Sequence, residues 1–283
     1  MKKSILLIVI SAIIYSSCDI IETPYISPNG TVEVDVEFPE LNRDSVIRKV
    51  LIEEFTGHRC LNCPEGHERL AQLLTTYGDS LVAVCIHAGA LANTNIDFPY
   101  DFRTEAGTQL YNDFGLDPVP IAIINRKQYN IHQWGVELNS WQNAIEAVDR
   151  SEIYAGIQLI NVFKSNENRL YAYSKTTMLK EYANPVQLSL FLIEDGIVSP
   201  QKDGVLVDTF YVHNHILRLG INGTYGSKFT VSGIVEKDSS YTLGYPVDFT
   251  GKDWDISKCT IVAILHDPST REVLQVEARK AIE

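Results

Sequence analysis

At 283 residues the chain has room for about two domains of roughly 100–200 residues each. Hydrophobic residues at 45% against 21% charged supply enough apolar material for real cores. The formal net charge of −12 repels phosphate backbones, which argues against nucleic-acid binding and against side-chain adhesion to an anionic membrane.

Residues 1–17 read as a targeting segment. Lys2 and Lys3 precede an apolar run at 5–14, broken only by Ser11. That run is about half of the roughly 20 residues a membrane-spanning helix needs, and matches a signal-peptide core. Ser16 and Ser17 then stand before Cys18. The arrangement resembles a bacterial lipoprotein signal, which implies a lipid on Cys18 as the mature N-terminus, although Tyr15 occupies a position where an aliphatic residue is usual. Ordinary secretion with a free Cys18 is the alternative. Residues 18–45 read as a tether, interrupted by Pro24, Pro28 and Gly30, followed by an N-terminal strand. In that strand Val32, Val34 and Val36 alternate with Glu33, Asp35 and Glu37.

Over 46–151 the pattern is βα. A strand is predicted at 50–55. A helix follows with Leu70, Leu73, Leu74 and Tyr77 at i, i+3, i+4 and i+7, and Gly78 ends it. The continuous apolar run at 81–87 predicts a strand covered on both faces. A second helix is predicted at 103–114, a buried strand at 119–124, a short hairpin partner at 128–131 and a closing helix at 138–150. Over 152–283 the texture is β-rich, with runs at 153–163, 170–178, 186–193, 205–212, 229–235, 241–249, 260–266 and 272–276. Turn signals such as Asp195-Gly196, Asn222-Gly223 and Asp267-Pro268 separate them. Seven or eight strands without helical periodicity predict an immunoglobulin-like β-sandwich. In the 186–193 run Val186, Leu188, Leu190 and Leu192 form the inward face, yet Phe191 and Ile193 make the other face apolar too.

The chemistry concentrates at Cys60 and Cys63. The order β-α-β-α-β-β-α, with Cys-x-x-Cys where the first strand passes into the first helix, is the thioredoxin arrangement. Three positions apart across a helix's first turn, two sulfurs reach bonding distance. The first lies among unpaired N–H groups at the positive end of the helix dipole, which favours its thiolate. Cys60 is then the attacking sulfur and Cys63 the resolving one. Val119-Pro120 at the start of the third strand fits the cis-proline that faces the dithiol in this fold. Arg59 stands where thioredoxins usually carry Trp, and Glu53 and Glu54 are positional candidates for a buried proton acceptor. Three other readings remain open: a static disulfide, a zinc cluster of His58, Cys60, Cys63 and His67, and a metal shared by His213 and His215. Cys85 and Cys259, inside apolar runs, read as core residues, and Arg218 as a bridge between the two parts.

The stretch Glu54-Phe55-Thr56-Gly57-His58-Arg59-Cys60-Leu61-Asn62-Cys63-Pro64, with Asn125-Arg126 and Tyr211-Val212-His213-Asn214-His215-Ile216-Leu217-Arg218, resembles the outer membrane protein 28 family, lipoproteins of Gram-negative bacteria. The resemblance extends over nearly the whole chain. It implies an outer-membrane lipoprotein with a thioredoxin-like domain joined to an immunoglobulin-like one. Two functions follow as expectations. One is thiol–disulfide exchange on exported proteins by Cys60, Cys63 and Pro120, needing no cofactor beyond the dithiol. The other is a surface-exposed binding or structural lipoprotein using the fold as a scaffold.

Overall fold

The computed structural model describes residues 30–130, 133–229 and 233–282. The targeting segment, Cys18 and the tether up to residue 29 lie outside the described residues.

Strand β1 (Val50–Thr56) is buried at every position and leads through residues 57–62 into α1 (Cys63–Tyr77). Pro64 sits in the first turn of α1, where a missing N–H costs nothing. Leu70 and Leu73 form its buried stripe, and Gly78 ends it at φ 51°. Strand β2 (Leu81–His87) runs parallel to β1. Helix α2 (Glu105–Phe114) starts two residues later than predicted because Thr104 caps it, its side chain accepting from the Gly107 N–H. Strand β3 (Ile121–Ile124) lies antiparallel to β1.

The hairpin partner of β3 is β4 (Val136–Glu137), not residues 128–131. Residues 127–130 are exposed and carry no core face, whereas Val136 is buried and its carbonyl accepts the Trp141 indole N–H at 2.8 Å. Ile131 lies outside the described residues. The closing helix is shorter than the predicted 138–150. It begins as a 3₁₀ turn at Leu138–Ser140 and continues as α3 (Trp141–Glu146).

The β-rich part contributes β5 (Ala155–Lys164), β6 (Arg169–Met178), β7 (Gln187–Glu194), β8 (Ile197–Val198), β9 (Gln201–Asp203), β10 (Leu206–Asp208), β11 (Val212–His213) and β12 (Ile216–Gly220). It continues with β13 (Ser227–Lys228), β14 (Ser240–Asp248), β15 (Cys259–His266) and β16 (Val273–Lys280). The result is a mixed α/β, strand-rich fold. One nine-stranded sheet has the order β16-β15-β7-β12-β2-β1-β3-β4, with β13 also on β7. A three-stranded sheet, β14-β6-β5, packs against its β7 and β15 through Leu159, Leu170, Leu190 and Ile261.

Residues 152–283 therefore do not build both of their sheets alone; their larger sheet continues that of residues 46–151. The splice is β12, a strand that sequence reasoning missed. Ile216 pairs with Cys85 of β2, and the Cys85 N–H donates to the His215 carbonyl at 2.7 Å. This position explains the two apolar faces of β7. Leu188, Leu190 and Leu192 pack with Leu159, Leu170 and Ile261 toward the three-stranded sheet. Phe191 and Ile193 pack on the other face with Phe55, Val84 and Leu110.

Three further predicted strands are corrected. Residues 205–212 form no single strand; they divide between β10 and β11 because Val205, Leu206 and Phe210 face solvent instead of a core. Of 229–235, residues 230–232 lie outside the described residues, Gly233 has φ 93°, and Val235 makes an isolated bridge to Tyr182. At 32–36 the alternating burial is present, but the chain runs beside β14 with one backbone bond, Val32 N–H to the Gly244 carbonyl, and no ladder.

Candidate dithiol site

The chain leaves β1 at Thr56, turns through Gly57, and enters α1 at Cys63. Cys60 and Cys63 are joined by a disulfide with a Cα–Cα separation of 5.4 Å. The Asp117–Pro118 and Val119–Pro120 peptides are both cis. The Cys60 sulfur lies 3.7 Å from the Val119 carbonyl, so the predicted trio of Cys60, Cys63 and Pro120 comes together at one place. Cys60 is only 2% exposed and Cys63 is fully buried.

Part of that cover comes from the β-rich half. Residues 197–213 rise from the end of β7 as an insertion. Its β9 lies along the dithiol loop, with the Lys202 N–H donating to the His58 carbonyl at 2.8 Å and the Gly204 N–H to the Leu61 carbonyl at 3.0 Å. The Gln201 side-chain amide donates to the carbonyls of Cys60 and Gly57. Nothing in the local sequence around residue 201 signals this contact.

The two candidate acids separate cleanly. Alternation along β1 sends Glu53 and Glu54 to opposite faces of the sheet. Glu53 receives two hydrogen bonds from Arg126, at 2.7 and 2.9 Å, and both residues are completely buried. Glu54 faces α1 and has no cationic partner. Its Oε2 accepts from the Cys85 thiol at 3.3 Å, and its Oε1 has no hydrogen-bond partner. Burial raises the Glu54 pKa to about 8, only partly opposed by the Cys85 hydrogen bond. Cys85 is thus a core thiol, as its sequence context indicates, but one in contact with the buried acid.

Glu54 sits directly beneath the dithiol helix. A Cβ added to Gly66, one turn after Cys63, would lie 2.7 Å from Glu54 Oε1 and 3.1 Å from Pro120 Cβ. Gly66→Ala is expected to cost about 1–3 kcal/mol by overpacking, seen as a lower urea midpoint; an unchanged midpoint would mean that helix and strand are not pressed together here.

The histidines form a buried group instead of a zinc cluster. His58 faces the Asn93 carbonyl at 3.1 Å, while His67 bridges Thr56 Oγ1 at 2.9 Å and the Tyr211 hydroxyl at 2.7 Å. His87 stacks on Phe102 with ring centroids 4.5 Å apart and meets His213 edge-on at 5.5 Å. His213 and His215 diverge, since His215 adopts φ 58° and pairs with Asp195 at 3.2 Å. Burial lowers the pKa of His67 to about 4 and that of His213 to about 3. Among the described residues no group of three or more His, Cys, Asp or Glu is arranged to hold a metal ion. Arg218 does join the two parts, donating to the Tyr100 hydroxyl while lying 3.3 Å from Glu194.

The family model described as outer membrane protein Omp28 matches residues 107–283, more than half of the chain. The match begins within α2 and leaves out Cys60 and Cys63, a narrower span than the resemblance in sequence implied. No curated protein matches the chain. Among solved structures, HBP35 of Porphyromonas gingivalis is similar at a TM-score of 0.62 and 15% identity, over 83% of this chain and 76% of that one. A protein of Agrobacterium tumefaciens is similar at a TM-score of 0.50 and 14% identity, over 84% of this chain and 97% of the other. A domain of the outer membrane lipoprotein Omp28 from Porphyromonas gingivalis aligns over 45% of this chain and 87% of its own length, at 21% identity and a TM-score of 0.32. At such identities the first two likenesses are of fold alone.

Proposed function

The chain belongs to the Omp28 outer membrane protein family, and on that premise we propose that it exchanges disulfides with exported proteins. In this reading a thioredoxin-like unit carries the reacting sulfurs, an immunoglobulin-like sandwich supports it, and a lipid on Cys18 tethers both to the outer membrane. One observation carries the proposal. Cys60, bridged to Cys63, lies against the Val119 carbonyl where the helix begins, and Gly66 one turn further on packs over the buried Glu54 carboxyl, whose Oε1 has no hydrogen-bond partner.

In the reduced protein the Cys60 thiolate attacks one sulfur of a client disulfide, breaking the client S–S bond and releasing one client thiolate. Cys63 then loses its thiol proton to the Glu54 carboxylate and attacks Cys60, expelling the second client thiolate and reforming the Cys60–Cys63 bond. Two electrons pass to the client, and an external dithiol restores the enzyme. Pro120 borders the groove that receives the client backbone.

The burial of both sulfurs favours a second reading, a binding or structural lipoprotein with a static disulfide. Insulin reduction with a small dithiol as electron source separates the two. Exchange by the purified protein, falling to the uncatalysed background in Cys60→Ser, is the expected result. No rate above background, with Cys60 unreactive toward alkylation after reduction, leaves the scaffold.

A further inference from the structure

A buried acid that accepts and releases a proton on every turnover needs a route to solvent, and Glu54 is sealed beneath α1. The imidazole of His67 lies within reach of its unpartnered Oε1 and also meets solvent, with Nε2 3.6 Å away and a side chain 16% exposed. The opposite ring nitrogen of His67 is 2.7 Å from the hydroxyl of Tyr211. His67 and Tyr211 border a cavity of about 220 Å³ between α1 and the β11–β12 segment, which Cys85, His213 and Ile216 also line.

We propose that His67 and Tyr211 form the proton path between Glu54 and solvent, which makes a residue of the β-rich half part of the dithiol chemistry. The inference rests on the exchange reading above. Protonated Glu54 gives its proton to His67 Nε2 as the Nδ1 proton moves to the Tyr211 oxygen, and the tyrosine's own proton passes to solvent. One proton enters and one leaves, no heavy-atom bond changes, and the reverse sequence reloads the acid. A neutral imidazole with one N–H is the form this relay requires, and burial keeps His67 in that form near neutrality.

The neighbouring titratable groups do not compete for the proton. Burial pushes the Cys85 thiol up and holds His87 and His213 neutral. Burial, and then the charge of Glu54, keep the Tyr211 hydroxyl protonated, and the surface carboxylates Glu68 from α1 and Asp203 from β9 act in the same direction. Thr56 Oγ1 lies 2.9 Å from the same Nε2; its hydroxyl rotates away as Nε2 takes the proton from Glu54 and then accepts from the new N–H, so the ring keeps its place.

The test is the pH profile of insulin reduction for the wild type, His67→Ala and Tyr211→Phe, with and without added imidazole. A cavity of about 150 Å³ already admits benzene, so the space left in His67→Ala accepts imidazole. The expected result is a loss of about 10- to 100-fold near neutral pH in His67→Ala, largely restored by imidazole. Tyr211→Phe, which keeps the ring and its packing, is expected to lose about 3- to 10-fold and to shift the profile. Packing damage alone would not be restored by imidazole. An active wild type whose profile superimposes on those of both variants overturns the relay and leaves the exchange reading standing. A wild type without exchange overturns both.

Discussion

Glu54→Gln is expected to remove a stability penalty that grows with pH. Burial raises the Glu54 pKa from 4.5 to about 8 in the folded protein, so the native state keeps its proton where the unfolded chain has lost it. Stability from this group is fully present below pH 4.5 and is lost as pH rises through about 8. Glutamine keeps an oxygen for the Cys85 thiol and carries no charge at any pH. In urea unfolding the variant should match the wild type near pH 4.5 and exceed it by on the order of 4 kcal/mol at pH 9. The buried histidines act in the opposite sense. His67 and His213 have folded pKa values below 6.5, so their contribution is lost as pH falls from 6.5 toward those values. Both proteins share that contribution, and it cancels in the difference. Parallel curves between pH 5 and 9 would mean that Glu54 is an ordinary ionised carboxylate in the folded protein, too acidic to hold a proton taken from Cys63.

Arg126→Ala should be the most damaging single substitution outside the hydrophobic cores. Arg126 is completely buried, is held by Glu53 through two hydrogen bonds, and lies over the rings of Phe191 and Tyr225 at 5.9 Å from each centroid. It therefore joins β1 to β7 and to the β-rich half. Truncation leaves Glu53 as an unpaired charge with no water to solvate it and opens a cavity beside Phe191. The expected cost is about 3–5 kcal/mol by urea denaturation. Replacing both partners, as Glu53→Met with Arg126→Met, should recover much of that loss, because a well-packed apolar pair avoids the desolvation that the ion pair must overcome. A double variant no more stable than Arg126→Ala would show that the pair's geometry, and not its charge, is what the junction needs.

Much of the site was legible in the sequence. Cys60 and Cys63 could be read because Cys-x-x-Cys at a strand-to-helix transition is a local pattern, with spacing set by the first turn of a helix. Val119-Pro120 was legible for the same reason, as was the burial of β2 on both faces from its continuous apolar run. The choice between Glu53 and Glu54 was not. Both stand on one strand, and only the partners across the sheet, Arg126 on one face and α1 on the other, tell them apart. His67 was visible in sequence only as a neighbour of the cysteines, and its true partner, Tyr211, is 144 positions away.

The two apolar faces of β7 carried a signal that sequence alone could not turn into an architecture. A two-sheet sandwich open to water needs one apolar face on each strand, and Phe191 and Ile193 exceed that need. The surplus is the trace of α2 packing on the far face of the sheet that β7 shares with β2 through the splice at Ile216 and Cys85. The chain's residue order was enough to establish most of the longer elements and the Cys-x-x-Cys pair at a strand-to-helix transition, because helix and strand periods and cysteine spacing are short-range properties. Which acid lies under the dithiol helix, what covers the sulfurs, and how the two halves share one sheet were decided by tertiary structure, because each depends on contacts between residues that only folding brings within a few ångströms.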